Sequence, residues 1–443
     1  MSDSVIRIAI VGAGIGGLAA AISLRRLPNV DVQIFEQAQA LREIGASIAI
    51  GPNGLRGLEE MGASNALSEE ISFRSDHGFP MVYKHWETGE VLVKDVHSSS
   101  VIQRNHHTAR YFRPHLQQAL ADNIPKDTIH LSKRLVSIAL RSKLDGSSDD
   151  VLLTFEDGSH HYADLVIGAD GINSRVRSIF QPTYKIERTG QVALRAVFDQ
   201  ALLADLIVEN PEIKNSVHVV GPDKNFFSSM LGQGKFTVVG LGYDYEDEVH
   251  STWRGKKWDD LIDVEILRKQ YEGWHPWITT LLDRVPPGSV HVHPGYASNE
   301  VPHPVHAGRI ALLGDAFHPH GGALAVGGSL AIDDSIALFL CLQHVQSVSF
   351  TSCSSPHSIS HPEARGSERL STSELSHALD LYASTRLPHV RRVFDTVEHM
   401  RRAAKSGMRT NPRDWAKNKK DVVWLHEHDV HVAFSNALES VHD

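Results

Sequence analysis

The sequence predicts an α/β protein that is built around a Rossmann-like dinucleotide-binding domain. An apolar, β-branched run at residues 6–11 leads directly into the glycine turn GAGIGG at 12–17, and a helix-forming segment follows. Two later apolar runs are followed by an Asp-Gly pair at Asp170 and a Gly-Asp pair that ends at Asp315. Because open α/β sheets bind ligands at the carboxyl ends of their strands, the three turns point to a nucleotide site.

The glycine turn supplies what a bound pyrophosphate needs. Gly12 permits a tight turn, Gly14 lets the backbone approach the phosphates, and Gly17 lets the next helix, predicted at 18–26, pack close to the strand. The amino end of that helix directs free N–H groups at the phosphates. Glu36 ends the second predicted strand 19 residues after Gly17, where a carboxylate accepts hydrogen bonds from ribose hydroxyls. These features predict a dinucleotide site but do not distinguish FAD from NAD(P).

Composition and charge exclude several classes of protein. A chain of 443 residues favours two to three domains, and its ordinary hydrophobic content of 41% is typical of a soluble globular protein. The net charge of −9 without a basic patch argues against a nucleic-acid partner. No run of 18 apolar residues is present, so we expect no membrane-spanning helix. The two cysteines, Cys341 and Cys353, fit a reducing, cytoplasmic location, and the scattered histidines predict no metal site.

Shorter elements follow the first βαβ unit. Gly45 and the Gly-Pro-Asn turn at 51–53 bracket a short strand, and a helix is predicted after them at 55–61. Alternating apolar and polar residues at 81–83 and 91–93 predict a hairpin, and the period of 110–120 predicts a helix.

The second half of the chain begins with another predicted hairpin, which turns at Asp157-Gly158 within 151–164. The remaining predicted elements are strands at 192–198, 216–220, 226–231 and 236–243, a helix at 258–271 and a buried helix at 332–342. Residues 346–373 are rich in serine and predict a flexible insertion. A helix is expected at 374–404 with a break near Pro388, and Trp415 and Trp424 are expected to anchor the tail.

The order of these motifs resembles the flavoprotein monooxygenases related to p-hydroxybenzoate and salicylate hydroxylases, up to about residue 405. The similar segments are the E-x-G-A-x-I…PN run at 43–53, the helix that contains Arg113, and the turns at Asp170 and Asp315. The resemblance implies tightly bound, non-covalent FAD. It also implies a Rossmann-like FAD-binding domain with an inserted mixed β-sheet substrate domain and a helical C-terminal region.

The resemblance further divides the chain into segments that alternate between these parts. The FAD-binding domain is expected at 1–77, 104–182 and 289–345, and the substrate domain at 78–103 and 183–288. The flexible insertion at 346–373 and the C-terminal helical region at 374–443 complete the chain.

The family's cofactor contacts carry over residue by residue. The resemblance implies that Gly45 and Ala46 run along the cofactor, that Arg113 and Gln117 lie on its flavin side, and that Asp170 lies near the pyrophosphate. Asp315 is expected to accept hydrogen bonds from the ribityl chain. The residues of the loop beside the isoalloxazine that match the family are Pro319, Gly327 and Gly328, whereas Gly322 and Ala325 depart from its pattern and predict a more mobile loop.

The resemblance also implies a reaction. NAD(P)H binds transiently and reduces FAD, and O2 then forms a flavin C4a-hydroperoxide that hydroxylates an aromatic, phenolic or polyketide-like small molecule. Epoxidation or decarboxylative hydroxylation on the same fold is one alternative. A redox-responsive binding protein that holds FAD without turnover is a second alternative. The chain is expected to be a monomer or homodimer.

The substrate side departs from the salicylate hydroxylase pattern. Relatives often carry H-x-x-x-Y on a substrate-facing strand, and the positions that correspond here are Asn225 and Ser229, neither of which is a base at neutral pH. We therefore predict that they only orient the substrate. Arg195 matches an arginine that binds phenolate or carboxylate in some relatives, and His320 is the nearest plausible base in the flavin loop.

Overall fold

A computed structural model describes residues 5–41, 46–141, 150–244, 253, 255–352, 370–405 and 411–442. Gly45 lies outside the described residues, and so does most of the predicted insertion, 353–369. In chain order, the first half contains β1 (Ile6–Val11), α1 (Ile15–Leu24), β2 (Val30–Phe35), β3 (Ser47–Ile50), α2 (Pro52–Glu60), β4 (Ser72–Phe73), β5 (Val82–His85), β6 (Val91–Lys94), β7 (Ala109–Phe112), α3 (Arg113–Ala121), β8 (Ile129–His130), β9 (Leu135–Arg141), β10 (Asp150–Phe155), β11 (His160–Ala163), β12 (Leu165–Gly168) and α4 (Arg175–Phe180).

The second half combines long strands with the longest helices of the described chain. It contains β13 (Glu187–Asp199), α5 (Ala204–Glu209), β14 (Val217–Val220), β15 (Asn225–Met230), β16 (Lys235–Tyr243), β17 (Asp260–Ile262), α6 (Val264–Gln270), α7 (Pro276–Asp283), β18 (Val290–Ala297), β19 (Val305–His306), β20 (Ile310–Leu312), α8 (Gly327–Ser352), α9 (Thr372–Lys405), α10 (Pro412–Asn418), α11 (Val423–His426) and α12 (Val430–His442). The predicted α/β fold class, with its helical C-terminal region, is confirmed.

The nucleotide-binding core is a six-stranded sheet with the order β19-β20-β12-β1-β2-β8. Its β1, β2, β8, β12 and β20 run parallel, and β19 is antiparallel at the edge. The β-branched strands are buried on both faces, as the apolar runs predict. This order places the carboxyl ends of β1, β12 and β20 side by side, so the three predicted turns lie at one edge.

A second, eight-stranded sheet has the order β17-β18-β13-β16-β15-β14-β5-β6. On one face, Phe226 packs against Tyr271 and Trp277 with ring centroids 5.4 and 6.2 Å apart, so α6 and α7 cover that face. On the other, Arg110 of β7 lies over Phe227, and Thr237 approaches Ser47 of β3. We call this second side, which carries Arg195, Phe227 and Thr237, the inner face of the sheet.

Both predicted hairpins are confirmed, but two predicted helices begin too early. Residues 110–112 belong to β7, which pairs with β3 and β4, and α3 begins only at Arg113. Residues 260–262 form β17 at the edge of the large sheet, and α6 begins at Val264 after Asp263 caps it. In both cases pairing with a distant strand outweighs the local helical period.

The long helices correct two further predictions. α8 continues to Ser352, so the first residues of the predicted insertion are helical. α9 runs from Thr372 to Lys405 and contains Pro388 without ending there, so the predicted break is wrong. By length and composition α8 could cross a membrane, but 83% of its most apolar 18-residue window is buried inside the protein, as in a core helix.

The two tryptophans of the C-terminal segment contact the rest of the protein, as predicted. Trp415 packs on Tyr83 with ring centroids 5.2 Å apart. Trp424 packs on His389 at 5.5 Å and lies under the Arg392 guanidinium at 3.9 Å. The domain boundaries expected from the sequence stay a prediction.

Candidate active site

The glycine turn after β1 leaves no room for side chains. Gly12 has a φ of +104°, and a Cβ there would lie 2.5 Å from the carbonyl oxygen of Ala169. A Cβ on Gly17 would lie 2.0 Å from the Gly12 carbonyl oxygen. The turn therefore packs directly on the strand end that carries Asp170, and α1 starts immediately after Gly14 without a side-chain cap on the amide donors at its amino end.

Glu36 is held at this turn by its own carboxylate. Its Oε2 accepts a hydrogen bond from the backbone N–H of Ala13 at 2.8 Å, and its Oε1 accepts one from Ala38 at 2.8 Å. Gln117, predicted to lie on the flavin side, is buried and donates to the Ala13 carbonyl at 2.9 Å. Arg113, at the start of the same helix α3, donates its backbone N–H to the Ala46 carbonyl at 2.9 Å.

Asp170 makes its hydrogen bonds within its own loop. Its carboxylate accepts from the Ser174 hydroxyl at 2.6 Å and from the backbone N–H groups of Arg175 and Val176 at 2.6 and 3.1 Å. Burial raises the pKa of Asp170, and these hydrogen bonds oppose that shift. Asp170 thus fixes the start of α4, and its contact with the cofactor stays a prediction.

Arg177 is not among the predicted site residues, yet it joins two of the motifs. Its guanidinium donates to the carbonyl oxygens of Asp315 at 3.2 Å and Ala316 at 2.8 Å, and also to that of Ile172. The Asp315 side chain itself is exposed at the sheet edge, where the ribityl chain is expected. An arginine in a short helix gives no local signal of this long-range role.

A buried ionic network supports the turn that carries Asp315. Asp334 of α8 accepts from the Gly314 backbone N–H at 2.9 Å and lies 2.8 Å from His318 Nε2. Its other oxygen accepts from Arg386 of α9 at 2.8 Å. Burial raises the pKa of Asp334, but His318 and Arg386 outweigh burial and hold that pKa below its usual value. None of these three side chains was predicted from the sequence to be part of the site.

The predicted flavin loop lies between β3, β18 and α8. Pro319 accepts a hydrogen bond from the Ser298 backbone N–H at 2.9 Å. Gly328 packs on β3, where a Cβ would come within 2.7 Å of Ile50, and Gly327 faces both Asp315 and His320. Leu324 and Ala325 adopt positive φ values of 67° and 54°, which fit the departures from the family pattern at this loop.

His320 is buried in that loop, and neither ring nitrogen has a hydrogen-bond partner among the described residues. Burial lowers its pKa to about 4, and the carboxylate of Asp315 opposes the shift. His320 is therefore neutral at physiological pH. Its role as a base stays a prediction.

Arg195 lies on the inner face of the large sheet, opposite the start of α3. Its cross-strand partner on β16 is Val239, and Val239 in turn pairs with Phe227 on β15. Burial, and next the positive charge of Arg113, lower the pKa of Arg195, so the two guanidinium groups share one region. The Arg195 Nε is buried without a hydrogen-bond partner among the described residues.

Asn225 and Ser229 lie on the same inner face, two strands away from Arg195. Ser229 is fully buried, contacts the Ser216 hydroxyl at 3.0 Å and donates to the Met230 carbonyl at 2.9 Å. Asn225 is half-buried, and its backbone carbonyl oxygen accepts a hydrogen bond from the Tyr271 hydroxyl at 2.6 Å. The structure therefore brings all three predicted substrate residues to one face, and their roles toward substrate stay predictions.

One group of possible metal ligands forms in the described chain although the sequence predicts none. Asp333, His389 and His428 place ligand atoms within 4.8 Å of one another. His428 Nδ1 lies 3.0 Å from Asp333, and Asn53 donates to the same carboxylate at 2.9 Å. These hydrogen bonds, with Arg386 3.9 Å from Asp333, account for the carboxylate without an ion.

Comparison with known proteins identifies the family of this chain and solved structures that share its fold. The FAD binding domain family matches residues 5–348. The chain is 31% identical over 351 residues to a 6-hydroxynicotinate 3-monooxygenase of Pseudomonas fluorescens, covering 76% of this chain and 83% of that protein. It is 29% identical over 359 residues to a 6-methylsalicylate 1-monooxygenase of Aspergillus terreus (strain NIH 2624 / FGSC A1156), covering 77% and 75%. A solved salicylate hydroxylase substrate complex shares the fold, with a TM-score of 0.74, 19% identity and 98% coverage of both chains.

The residues present fit a flavin dinucleotide. The turn at Gly12 and Gly17 admits no Cβ, the Glu36 carboxylate lies beside that turn, and the exposed Asp315 follows β20 on the same edge of the sheet. The fold, the match over most of the chain and this fit agree with the resemblance found in the sequence. The chain belongs to the FAD binding domain family and is an FAD-dependent monooxygenase.

Proposed function

We propose that this monooxygenase hydroxylates a small aromatic ring that carries an ionisable hydroxyl group, a carboxylate or both, and that NAD(P)H is its transient reductant. The observation that carries the proposal is Arg195 on the inner face, with a buried Nε that lacks a hydrogen-bond partner among the described residues. A guanidinium stays charged at any working pH and binds planar oxyanions through two parallel hydrogen bonds. An anionic group on the substrate would supply the missing partner.

The names of the relatives support this substrate class. 6-Hydroxynicotinate, 6-methylsalicylate and salicylate are each an aromatic ring with a hydroxyl group and a carboxylate. This chain lacks the histidine and tyrosine that many such enzymes carry at the positions that correspond to 225 and 229. Activation of the substrate would therefore depend more on the positive charge of Arg195.

The side chains around Arg195 suggest how the ring is held. Ala193, Phe227 and Val239 form an apolar cluster on the inner face, with Met81 and Leu241 packed against it. Such a wall would bury the ring and exclude water, while Arg195 fixes the oxyanion and Asn225 orients the ring. Bound FAD supplies the chemistry of oxygen transfer from O2, and the protein supplies position and charge.

The opposite charge of Arg195 would also lower the pKa of a bound phenol, because it favours the ionised form. A phenolate ring carbon is a better nucleophile toward an electrophilic oxygen atom than a neutral phenol is. Arg195 would therefore bind the substrate and activate it at once. His320, neutral in the flavin loop, is the alternative group for activation.

NAD(P)H consumption by the purified, FAD-loaded protein tests the proposal. We expect salicylate, 6-hydroxynicotinate or 6-methylsalicylate to stimulate oxidation of NADH or NADPH, with a product one oxygen atom heavier. A product that has lost carbon dioxide, or an epoxide, would favour the alternative reactions. Absence of stimulation by any hydroxylated or carboxylated aromatic compound would favour an FAD-holding binding protein and overturn the proposal.

We further propose that the protein works in the cytoplasm as a monomer or homodimer. The low cysteine count supports a reducing compartment, and Cys341 is buried and free. Size-exclusion chromatography with light scattering tests the oligomeric state, and a larger assembly would contradict it.

A further inference from the structure

A histidine on the neighbouring strand lies beside Arg195. β18 pairs with β13 so that His293 is opposite Ala193 and His291 is opposite Arg195. Cross-strand partners share a face, so His293 and Arg195 are diagonal neighbours on the inner face, with Cα atoms about 7–8 Å apart. After burial, the charge of Arg195 is the largest cause that lowers the pKa of His293, to about 3, in agreement with this placement.

An aspartate is placed against the His293 ring. Asp259 Oδ1 lies 3.2 Å from His293 Nε2 and 3.3 Å from His291 Nδ1. The Trp258 ring stands perpendicular to the His293 ring with centroids 4.7 Å apart and limits its rotation. Asp259 has a φ of +74°. Residues other than glycine adopt this backbone conformation rarely, and such residues cluster at functional sites.

Nδ1, the second ring nitrogen of His293, has no carboxylate beside it among the described residues. His293 is only 5% exposed, and neither Nδ1 nor Nε2 has a hydrogen-bond partner among the described residues. Nε2 is nevertheless the nitrogen close to the carboxylate, 3.2 Å from Asp259 Oδ1, and a proton on Nε2 would leave the lone pair on Nδ1. A neutral imidazole with one nitrogen against a carboxylate and the other available is the arrangement that a general base needs.

We infer that His293, oriented by Asp259, accepts the proton of the substrate hydroxyl whose oxygen Arg195 holds. The inference rests on the proposed function, because it assumes a hydroxylated aromatic substrate at Arg195. In this step the substrate O–H bond breaks, an Nδ1–H bond forms on His293, and the oxygen keeps the electron pair. Arg195 then faces the phenolate, and Asp259 faces the imidazolium.

The surrounding charges allow this transfer. The charged and titratable groups near the ring are Arg195 from β13, His291 from β18 and Asp259 from the turn before β17. Before substrate binds, burial and Arg195 keep the imidazole neutral and ready to accept a proton. A phenolate at Arg195 offsets its positive charge, so the imidazolium forms more easily once the proton moves.

Two probes of different acidity test the inference in the full-length, FAD-loaded protein. 4-Hydroxybenzoate has a hydroxyl that is protonated at neutral pH, whereas 4-hydroxy-3-nitrobenzoate is ionised in mildly alkaline buffer. We expect His293→Gln to lower kcat for the first probe by about a hundredfold or more, with little change in KM. Turnover of the second probe, which needs no base, should stay close to that of the unmodified protein. Asp259→Asn should give the same pattern, with a smaller loss.

His160→Gln, a histidine exposed in the β10–β11 hairpin, is the matched control and should leave both probes unaffected. Flavin content and the midpoint of thermal unfolding check that His293→Gln is folded. Equal losses on both probes, or no loss, overturn the inference and leave the proposed function standing. If the unmodified protein hydroxylates neither probe nor any other phenol, the proposed function fails and the inference fails with it.

Discussion

Arg386 and Asp334 form an ion pair between α9 and α8, with 2.8 Å between Nε and Oδ1, and neither side chain is exposed to solvent. The second Asp334 oxygen accepts the Gly314 backbone N–H and contacts His318. This pair therefore connects the long C-terminal helix to the turn that presents Asp315. A burial this complete makes the pair sensitive to the loss of either partner.

Arg386→Met should lower the free energy of unfolding by about 3–5 kcal/mol, because it leaves the Asp334 charge buried without its guanidinium. Urea unfolding measures this, and the flavin content should fall as the Asp315 turn loosens. Arg402→Met is the control, since its pair with Glu398 is on the surface, and it should change stability by at most about 0.5 kcal/mol. Equal effects of the two substitutions would show that the buried pair does not support the turn.

Glu36→Ala should weaken retention of FAD. The lost carboxylate removes charge-assisted hydrogen bonds, each worth about 1.5–3 kcal/mol, which corresponds to a tenfold or greater increase in Kd. Flavin absorbance after dialysis and titration with FAD measure the change. Asp31→Ala, an exposed acid on the same strand, should stay yellow. Full flavin retention in Glu36→Ala, or a colourless unmodified protein that FAD cannot reconstitute, would contradict the predicted nucleotide site.

Arg195→Gln should reduce hydroxylation at least about tenfold, which corresponds to about 1.4 kcal/mol of barrier. The pH optimum should rise, because the phenol loses the positive charge that favours its ionised form and needs a higher pH to ionise. Arg195→Lys keeps the charge without the planar geometry and should retain an intermediate rate. An unchanged rate and pH profile in Arg195→Gln would transfer the role to another group, with His320 first to be tested.

His97 should make the protein less stable in acid. Its Nε2 accepts the Thr108 N–H at 2.9 Å, and its Nδ1 lies 2.9 Å from the Gly78 carbonyl. Burial, and next the charge of His107, lower its pKa from 6.5 to about 4. Because the unfolded chain binds the proton first, stability falls as the pH drops below 6.5 and continues to fall until the pH reaches about 4.

His97→Gln should therefore lose less stability between pH 6.5 and about 4 than the unmodified protein does. Urea unfolding at both ends of this range measures the difference. His160→Gln, exposed in its hairpin, should follow the unmodified protein. A His97→Gln profile parallel to that of the unmodified protein would show that the proton binds elsewhere.

Local pattern was enough wherever one segment fixes its own backbone. The glycine turn after β1 needs a positive φ at Gly12 and close packing at both Gly12 and Gly17, which only glycine allows, so the sequence predicts the turn and its partner Glu36. The hairpin at Asp157-Gly158 is predicted for the same reason, with a φ of +80° at Gly158. The prediction was wrong where a distant strand competes, as at residues 110–112, which pair with β3 and β4.

The sequence by itself therefore determined the fold class, the dinucleotide site and the family, because these depend on short segments whose residues are adjacent in the chain. Only the tertiary structure decided which side chains meet. Asp334 reaches Arg386 across 52 residues, and Asp259 reaches His293 through the pairing of β17 with β18. Such contacts depend on strand register and helix packing, which no local pattern contains, so the residues that support the site and the candidate base appear only in the folded protein.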